Sequence, residues 1–154
     1  SKRNDYVIVR IIKAKDLVAA DKNGFSDPYT IITVGKSKKV TKVIKKTLNP
    51  EWNETFEFLV NPQLDQIRFK VMDKDRFSKD DFIGEIRISL VGLPRGQEIV
   101  QWQVLERVPN GEIQIGLKAI TFDSTQKRQG PPAADFHKNV VNTPVGTPQA
   151  SYYS

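Results

Sequence analysis

The chain has 154 residues, 38% hydrophobic and 27% charged, enough for one domain of ordinary size with a real core. Lys and Arg outnumber Asp and Glu by 24 to 18, and a net charge of +6 is small enough that its placement matters more than its size. Cysteine is absent, which excludes disulfides, thiolate metal sites and thiol catalysis and fits a reducing compartment.

The apolar pattern has the period of strands. In chain order the expected strands are Tyr6–Ile12 (YVIVRII), Pro28–Val34 (PYTIITV), Val40–Ile44, Thr55–Val60 (TFEFLV), Ile67–Met72 (IRFKVM), Phe82–Leu90 (FIGEIRISL), Ile99–Leu105 (IVQWQVL) and Ile113–Phe122 (IQIGLKAITF). Turns are signalled at Val34-Gly35-Lys36, Leu48-Asn49-Pro50, Leu93-Pro94-Arg95-Gly96 and Pro109-Asn110-Gly111. No stretch keeps a helical period for ten residues behind a cap. Eight short strands in about 120 residues predict an all-β fold, an eight-stranded antiparallel β-sandwich spanning residues 1–122.

Beyond Phe122 the composition shifts to QGPPAAD and NTPVGTPQ, so residues 123–154 are expected to be a flexible or loosely docked tail. Thr143-Pro144 and Thr147-Pro148 match proline-directed phosphorylation pairs, and incidental Thr-Pro pairs in a solvated linker read the same way. No apolar run approaches 18 residues and no signal peptide is recognisable, so any membrane contact is expected to be peripheral. The single methionine is Met72, and a chain opening on Ser1 reads as a processed product or a piece of something longer.

Two polar breaks between strands hold five aspartates: Asp21 and Asp27 in DKNGFSD, and Asp73, Asp75 and Asp81 in DKDRFSKDD. If the fold brings the breaks together, five carboxylates share one small volume, and a bound cation is the usual remedy for their repulsion. Oxygen-only ligands on loops select hard ions, Ca²⁺ ahead of Mg²⁺. An EF-hand is the first rival, and it fails. Counting from Asp73, position 5 is Phe77 and position 12 is Gly84; counting from Asp21, position 5 is Phe25 and position 12 is Ile32.

Three blocks then point to one family. They are Asp21-Lys-Asn-Gly-Phe-Ser-Asp27-Pro28-Tyr29, Thr47-Leu-Asn49-Pro50-Glu-Trp52-Asn53-Glu54 and Asp73-Lys-Asp75-Arg-Phe-Ser-Lys-Asp-Asp81-Phe-Ile-Gly84. In order and spacing the chain resembles the C2 domain, the calcium- and phospholipid-binding β-sandwich of the synaptotagmin and protein kinase C type, over residues about 5 to 122. The resemblance implies that Asp21, Asp27, Asp73, Asp75 and Asp81 hold two or three Ca²⁺ ions. Gly111–Ala119 looks like the strand that opens synaptotagmin-type members, so the chain resembles the circularly permuted, phospholipase-like order (type II).

From this follows an expected mechanism: a calcium-dependent switch for anionic phospholipid membranes. The metal-free loop tips carry negative charge that repels an anionic surface, and metal reverses the local sign. Phe77 is expected to point outward and insert, and Phe25 either inserts or packs back beneath its loop. Lys22, Lys74, Arg76 and Lys79 flank the acids; they either merely temper the acids' mutual repulsion or touch headgroups, each then contributing about 1 kcal/mol near an anionic surface. Lys22 and Lys74 stand where several relatives carry apolar or aromatic residues, so docking is expected to be shallow and electrostatic. Asp80 has no assignment.

Gly35–Thr47 (GKSKKVTKVIKKT) contains six lysines and no acid. Alternation puts Val40, Lys42 and Ile44 on one side and Thr41, Val43 and Lys45 on the other. By resemblance this strand, with Lys38, Lys42 and Lys45 beside Tyr29 and Trp52, implies a phosphoinositide site. A solvated strand face whose lysines guard against edge pairing is the plainer alternative.

No enzyme is expected: His137 is the only histidine, and no phosphate-binding glycine loop is present. Acids at the loop tips also oppose a nucleic-acid partner. The competing function is a protein-interaction module of the same fold, using the sandwich face or the tail. The expected setting is a monomer in the cytoplasm that reaches membranes on calcium binding, in signalling or membrane trafficking.

Overall fold

A computed structural model describes residues 3–123; the tail, with His137 and both Thr-Pro pairs, lies outside the described residues. Its strands are β1 (Arg3–Lys15), β2 (Pro28–Val34), β3 (Ser37–Val40), β4 (Glu51–Val60), β5 (Gln66–Asp73), β6 (Asp81–Ser89), β7 (Glu98–Val104) and β8 (Glu112–Asp123). They form two four-stranded antiparallel sheets, ordered β4-β1-β8-β7 and β3-β2-β5-β6. The eight-stranded sandwich expected from the period-2 pattern is the fold. No helix among the described residues is long and apolar enough to cross a membrane.

Alternation decides which side chains face the core. In β5, Ile67, Phe69 and Val71 are all 0% exposed, while Arg68, Lys70 and Met72 between them are half-buried on the opposite face. In β2, Thr30, Ile32 and Val34 point inward and Tyr29, Ile31 and Thr33 outward. Burying the β1, β5 and β8 aliphatics, each worth about 1.5–3 kcal/mol, drives the two sheets together.

β1 reaches past the expected Ile12 because of a bulge. Both of its pairings slip between Ile11 and Lys13, so Val7, Val9 and Ile11 face the core before the slip and Ala14 faces it afterwards. The flip turns Lys13 and Lys15 outward over the Trp102 ring, 5.9 and 4.3 Å from its centre. It also delivers the chain to the first acidic loop at Asp16.

β3 corrects the strand expected at Val40–Ile44. The ladder runs from Ser37 to Val40 and stops, because the Thr41 hydroxyl accepts the Thr30 N–H (2.8 Å) in place of a backbone carbonyl. Lys42 then leaves the sheet: its N–H goes to Glu54 (2.8 Å), and its carbonyl accepts the Trp52 indole N–H (3.0 Å). Regular alternation is lost with the ladder. Thr41 is buried and Ile44 packs on the core, while Lys42, Val43 and Lys45 are exposed.

Candidate metal centre and the cationic face

The first acidic loop is tightened from within. Gly24, at φ 86°, lets the chain fold back so that Asp21 meets Phe25, with Asp21 N–H donating to Phe25 O at 2.9 Å. Buried Ser26 staples the loop by accepting from Ala20 N–H (3.0 Å) and donating to Val18 O (2.9 Å). The next residue, Asp27, leads into β2, whose first residue, Pro28, lies opposite Asp73 at the end of β5.

Three elements meet at Asp27. Its N–H donates to Asp73 Oδ1 at 2.7 Å, and its carbonyl accepts the Lys74 N–H at 3.0 Å. Lys46, held in the left-handed backbone region at φ 54°, turns its N–H onto Asp27 Oδ1 at 2.8 Å. Sheet pairing and two loop contacts thus fix both carboxylates before any ligand arrives.

Asp21, Asp27 and Asp73 each bring a carboxylate oxygen within 4.8 Å of the others. Asp73 is 0% exposed, and its Oδ2 has no hydrogen-bond donor among the described residues. Burial pushes its carboxyl up to about 6; the Asp27 amide opposes that rise, and the Asp21 and Asp27 carboxylates reinforce it. A buried acid facing two more acids fits a hard divalent cation, because these donors are all oxygen.

Asp75 and Asp81 stand apart from this group of three. Asp75 folds back on its own loop: Oδ1 accepts from Phe77 N–H (2.9 Å) and Ser78 N–H (3.3 Å), and Oδ2 from Ser78 Oγ (2.9 Å). Those donors, the Phe77 amide foremost, hold its carboxyl below the ordinary range. Asp81 is exposed and opens β6 directly opposite Asp73 in register. Asp80, which had no role in the sequence, is occupied on both oxygens. Oδ1 accepts the Asp75 N–H (2.9 Å), Oδ2 accepts the Tyr29 hydroxyl, and Lys74 Nζ lies 3.8 Å away.

At the tip, Phe77 is 91% exposed, with the Arg76 guanidinium 5.7 Å from its ring centre. Phe25 is 44% exposed, and Lys22 and Lys79 are exposed on the same two loops.

Register assembles a cationic face on the outer side of the second sheet. Lys38 lies opposite Thr33, Thr33 opposite Arg68, and Arg68 opposite Arg87, while Lys70 sits opposite Ile31. Arg68, Lys70 and Arg87 belong to this face although the sequence reading named none of them. The alternation in IRFKVM already puts Arg68 and Lys70 on the side away from the core, but only strand order sets them beside Lys38. Glu85 tempers the patch, accepting Arg68 Nε (3.1 Å) and Nη2 (2.8 Å). Lys42 and Lys45 are exposed on the segment after β3. Tyr29 shares the outer face, its hydroxyl committed to Asp80. Trp52 is 3% exposed and part of the core, so it supports Lys42 from beneath and does not offer an open wall.

Comparison with known proteins agrees with this geometry. The family model for the C2 domain matches residues 5–105. Extended synaptotagmin-1 of Mus musculus is 35% identical over 120 residues, covering 73% of this chain and 11% of that protein. Synaptotagmin-3 of Mus musculus is 51% identical over 89 residues, 54% of this chain and 15% of the relative. Among solved structures, a calcium-bound pair of C2 domains from extended synaptotagmin 2 matches 74% of this chain and 45% of its own, at 34% identity and a TM-score of 0.67. A C2 domain of a plant extended synaptotagmin 1 is matched over its whole length and 80% of this chain, at 26% identity and a TM-score of 0.73. The chain thus spans only a small fraction of these curated relatives' length. It belongs to the C2 domain family.

Proposed function

We propose that this C2 domain is a calcium-dependent phospholipid-binding module that docks on anionic membranes through its acidic loops. The observation that carries the reading is the buried Asp73 carboxylate, with one oxygen lacking a donor and two further carboxylates within 4.8 Å. A calcium-bound relative at 34% identity supports the choice of metal. Asp21, Asp27 and Asp73 would hold the first ion, and Asp75 and Asp81, nearby on the same loop, complete the expected set for two or three. Bound there, Ca²⁺ would supply about two positive charges per ion to a pole that is otherwise anionic.

The chain's own residues do the rest. Phe77 stands clear of the fold at the tip, and its transfer into a membrane interface is worth about 1.5–3 kcal/mol. Lys22, Arg76 and Lys79 flank the acids and meet headgroups. On the outer face of the second sheet, Lys38, Arg68, Lys70 and Arg87 present converging cations, with Lys42 and Lys45 on the adjoining segment, and this surface suits a phosphoinositide headgroup. The domain plays no catalytic role here and meets the membrane only peripherally.

Co-sedimentation with phosphatidylserine-containing vesicles, in Ca²⁺ and in EDTA, tests the reading. Binding in Ca²⁺ that EDTA abolishes is expected. Equal sedimentation in both buffers would remove calcium from the function, and none in either would remove the membrane.

A further inference from the structure

We infer that Asp80 is a positioning residue for the metal loop and not one of its ligands. It fastens the loop to β2 through Tyr29, and this assignment rests on the calcium reading above. Asp80 is the last residue before β6, on the returning limb of the loop that leaves β5 at Asp73. Tyr29 lies on the outer face of β2, in register with Met72 of β5, and its hydroxyl donates to Asp80. The other oxygen of the same carboxylate takes the N–H of Asp75, on the outgoing limb, at 2.9 Å. One side chain therefore ties three pieces of chain together: a sheet strand, the outgoing limb and the returning limb.

Each Asp80 oxygen already accepts one of these bonds, and the side chain is only 19% exposed. Lys74 Nζ at 3.8 Å further offsets its charge. The bond to Asp75 has a downstream effect. With its amide pinned, Asp75 folds its own carboxylate over the amides of Phe77 and Ser78, which shapes the tip that carries Phe77 into solvent. Strand, fastening, turn and exposed aromatic form one chain of contacts. The acid whose neighbour Asp81 opens β6 thus works through the backbone of Asp75.

Removal of charge and removal of geometry separate the two roles. Asp80→Asn keeps an acceptor for the Asp75 amide and a polar partner for Tyr29 but carries no charge; Asp80→Ala loses both bonds. Two measurements apply to each: amide hydrogen exchange in the metal-free protein, and a calorimetric titration with CaCl₂ without lipid. In Asp80→Ala the Asp75 amide should exchange roughly tenfold faster and Ca²⁺ affinity should fall roughly tenfold, the scale of one lost hydrogen bond to a charged group. Asp80→Asn should stay within about threefold of the unmodified protein on both counts, and Tyr29→Phe should lie between them. Adding Tyr29→Phe to Asp80→Ala should change nothing further, because the shared bond is already gone.

Core amides such as those of Ile32 and Phe69 report folding in every variant. An Asp80→Asn protein that loses Ca²⁺ as fully as Asp80→Ala would make the carboxylate a ligand and overturn the inference, as would an unchanged Asp75 amide in Asp80→Ala. If the unmodified protein binds no Ca²⁺, the calcium reading falls by itself. The metal-free exchange rates of Asp75 in Tyr29→Phe and Asp80→Ala then decide the fastening alone.

Discussion

The acidic pole and the cationic face of this domain carry opposite charge and are built in opposite ways. At the pole, side chains and backbone of different elements hold one another: Asp73 accepts the Asp27 amide, Asp27 accepts the Lys46 amide, and Asp80 accepts the Asp75 amide. On the face, Lys38, Lys42 and Lys45 stand in solvent and form no salt bridge among the described residues, at the end of a ladder and just beyond it. A preorganised oxygen cluster suits a small hard ion, whose ligands must sit at fixed distances. Solvated lysines on flexible stems suit a larger anionic headgroup or surface, which can be met in many poses. The two regions should therefore fail differently: the pole steeply and at single residues, the face gradually and by total charge.

The steepest failure is expected at Asp73. Asp73→Asn removes the buried charge at the centre of the three-acid group, and Ca²⁺ affinity should drop by about two orders of magnitude or more in a calorimetric titration. Metal-free stability should hold or rise, since the buried charge opposes folding. A change of less than about threefold would place the ion elsewhere and erase the contrast.

Gradual failure is expected on the face. Lys42→Ala with Lys45→Ala should weaken binding to phosphoinositide-containing vesicles by roughly 30-fold, at about 1 kcal/mol per lysine. Ca²⁺ affinity without lipid should stay within about twofold, and either lysine alone should give about half the free-energy effect. Unchanged vesicle binding would return the lysines to the role of a solvated edge.

Phe77 tests whether the pole also acts through apolar contact. Phe77→Ala should lower Ca²⁺-dependent vesicle binding by about tenfold while leaving the urea midpoint in place, because the ring is 91% exposed and supports nothing in the fold. If binding then depends only on salt concentration and is indifferent to the ring, docking is purely electrostatic.

The pole and the face also differ in how much of them can be read from sequence. Strands were legible because burial enforces period 2, as at Ile67, Phe69 and Val71. β3 was not, because its end is set by the Thr41 hydroxyl substituting for a carbonyl, which no period signals. The meeting of Asp21, Asp27 and Asp73 was legible because strand ends fix it. The inward fold of the Asp75 carboxylate onto its own loop was not, since it answers to amides two and three residues on. Asp80 was opaque for the opposite reason: its partner Tyr29 lies 51 residues away in sequence. The cationic face was legible only along one strand, and Arg68, Lys70 and Arg87 joined it through pairings that a single sequence does not display.

The smallest effect on binding, and a control for all the others, belongs to Glu98, on the sheet that carries neither the acidic loops' β2–β5 meeting nor the lysines. Its carboxylate lies 3.3 Å from Arg10 Nε with both side chains almost fully buried. Burial pushes its carboxyl from 4.5 up to about 7, against the pull of Arg10 and Lys118. The folded chain then holds a proton that the unfolded chain releases near 4.5, so this contribution to stability is complete below pH 4.5 and is lost as pH rises through 7. Glu98→Gln has no such proton to lose. In EDTA, its urea midpoint should fall less than that of the unmodified protein between pH 5 and 7, by about 1 M. Ca²⁺ affinity at pH 7.5 should be unchanged. Parallel midpoints would show that the ion pair stays charged through the whole range, and that any residual pH dependence of the fold arises at the acidic pole, where Asp73 titrates in the same direction.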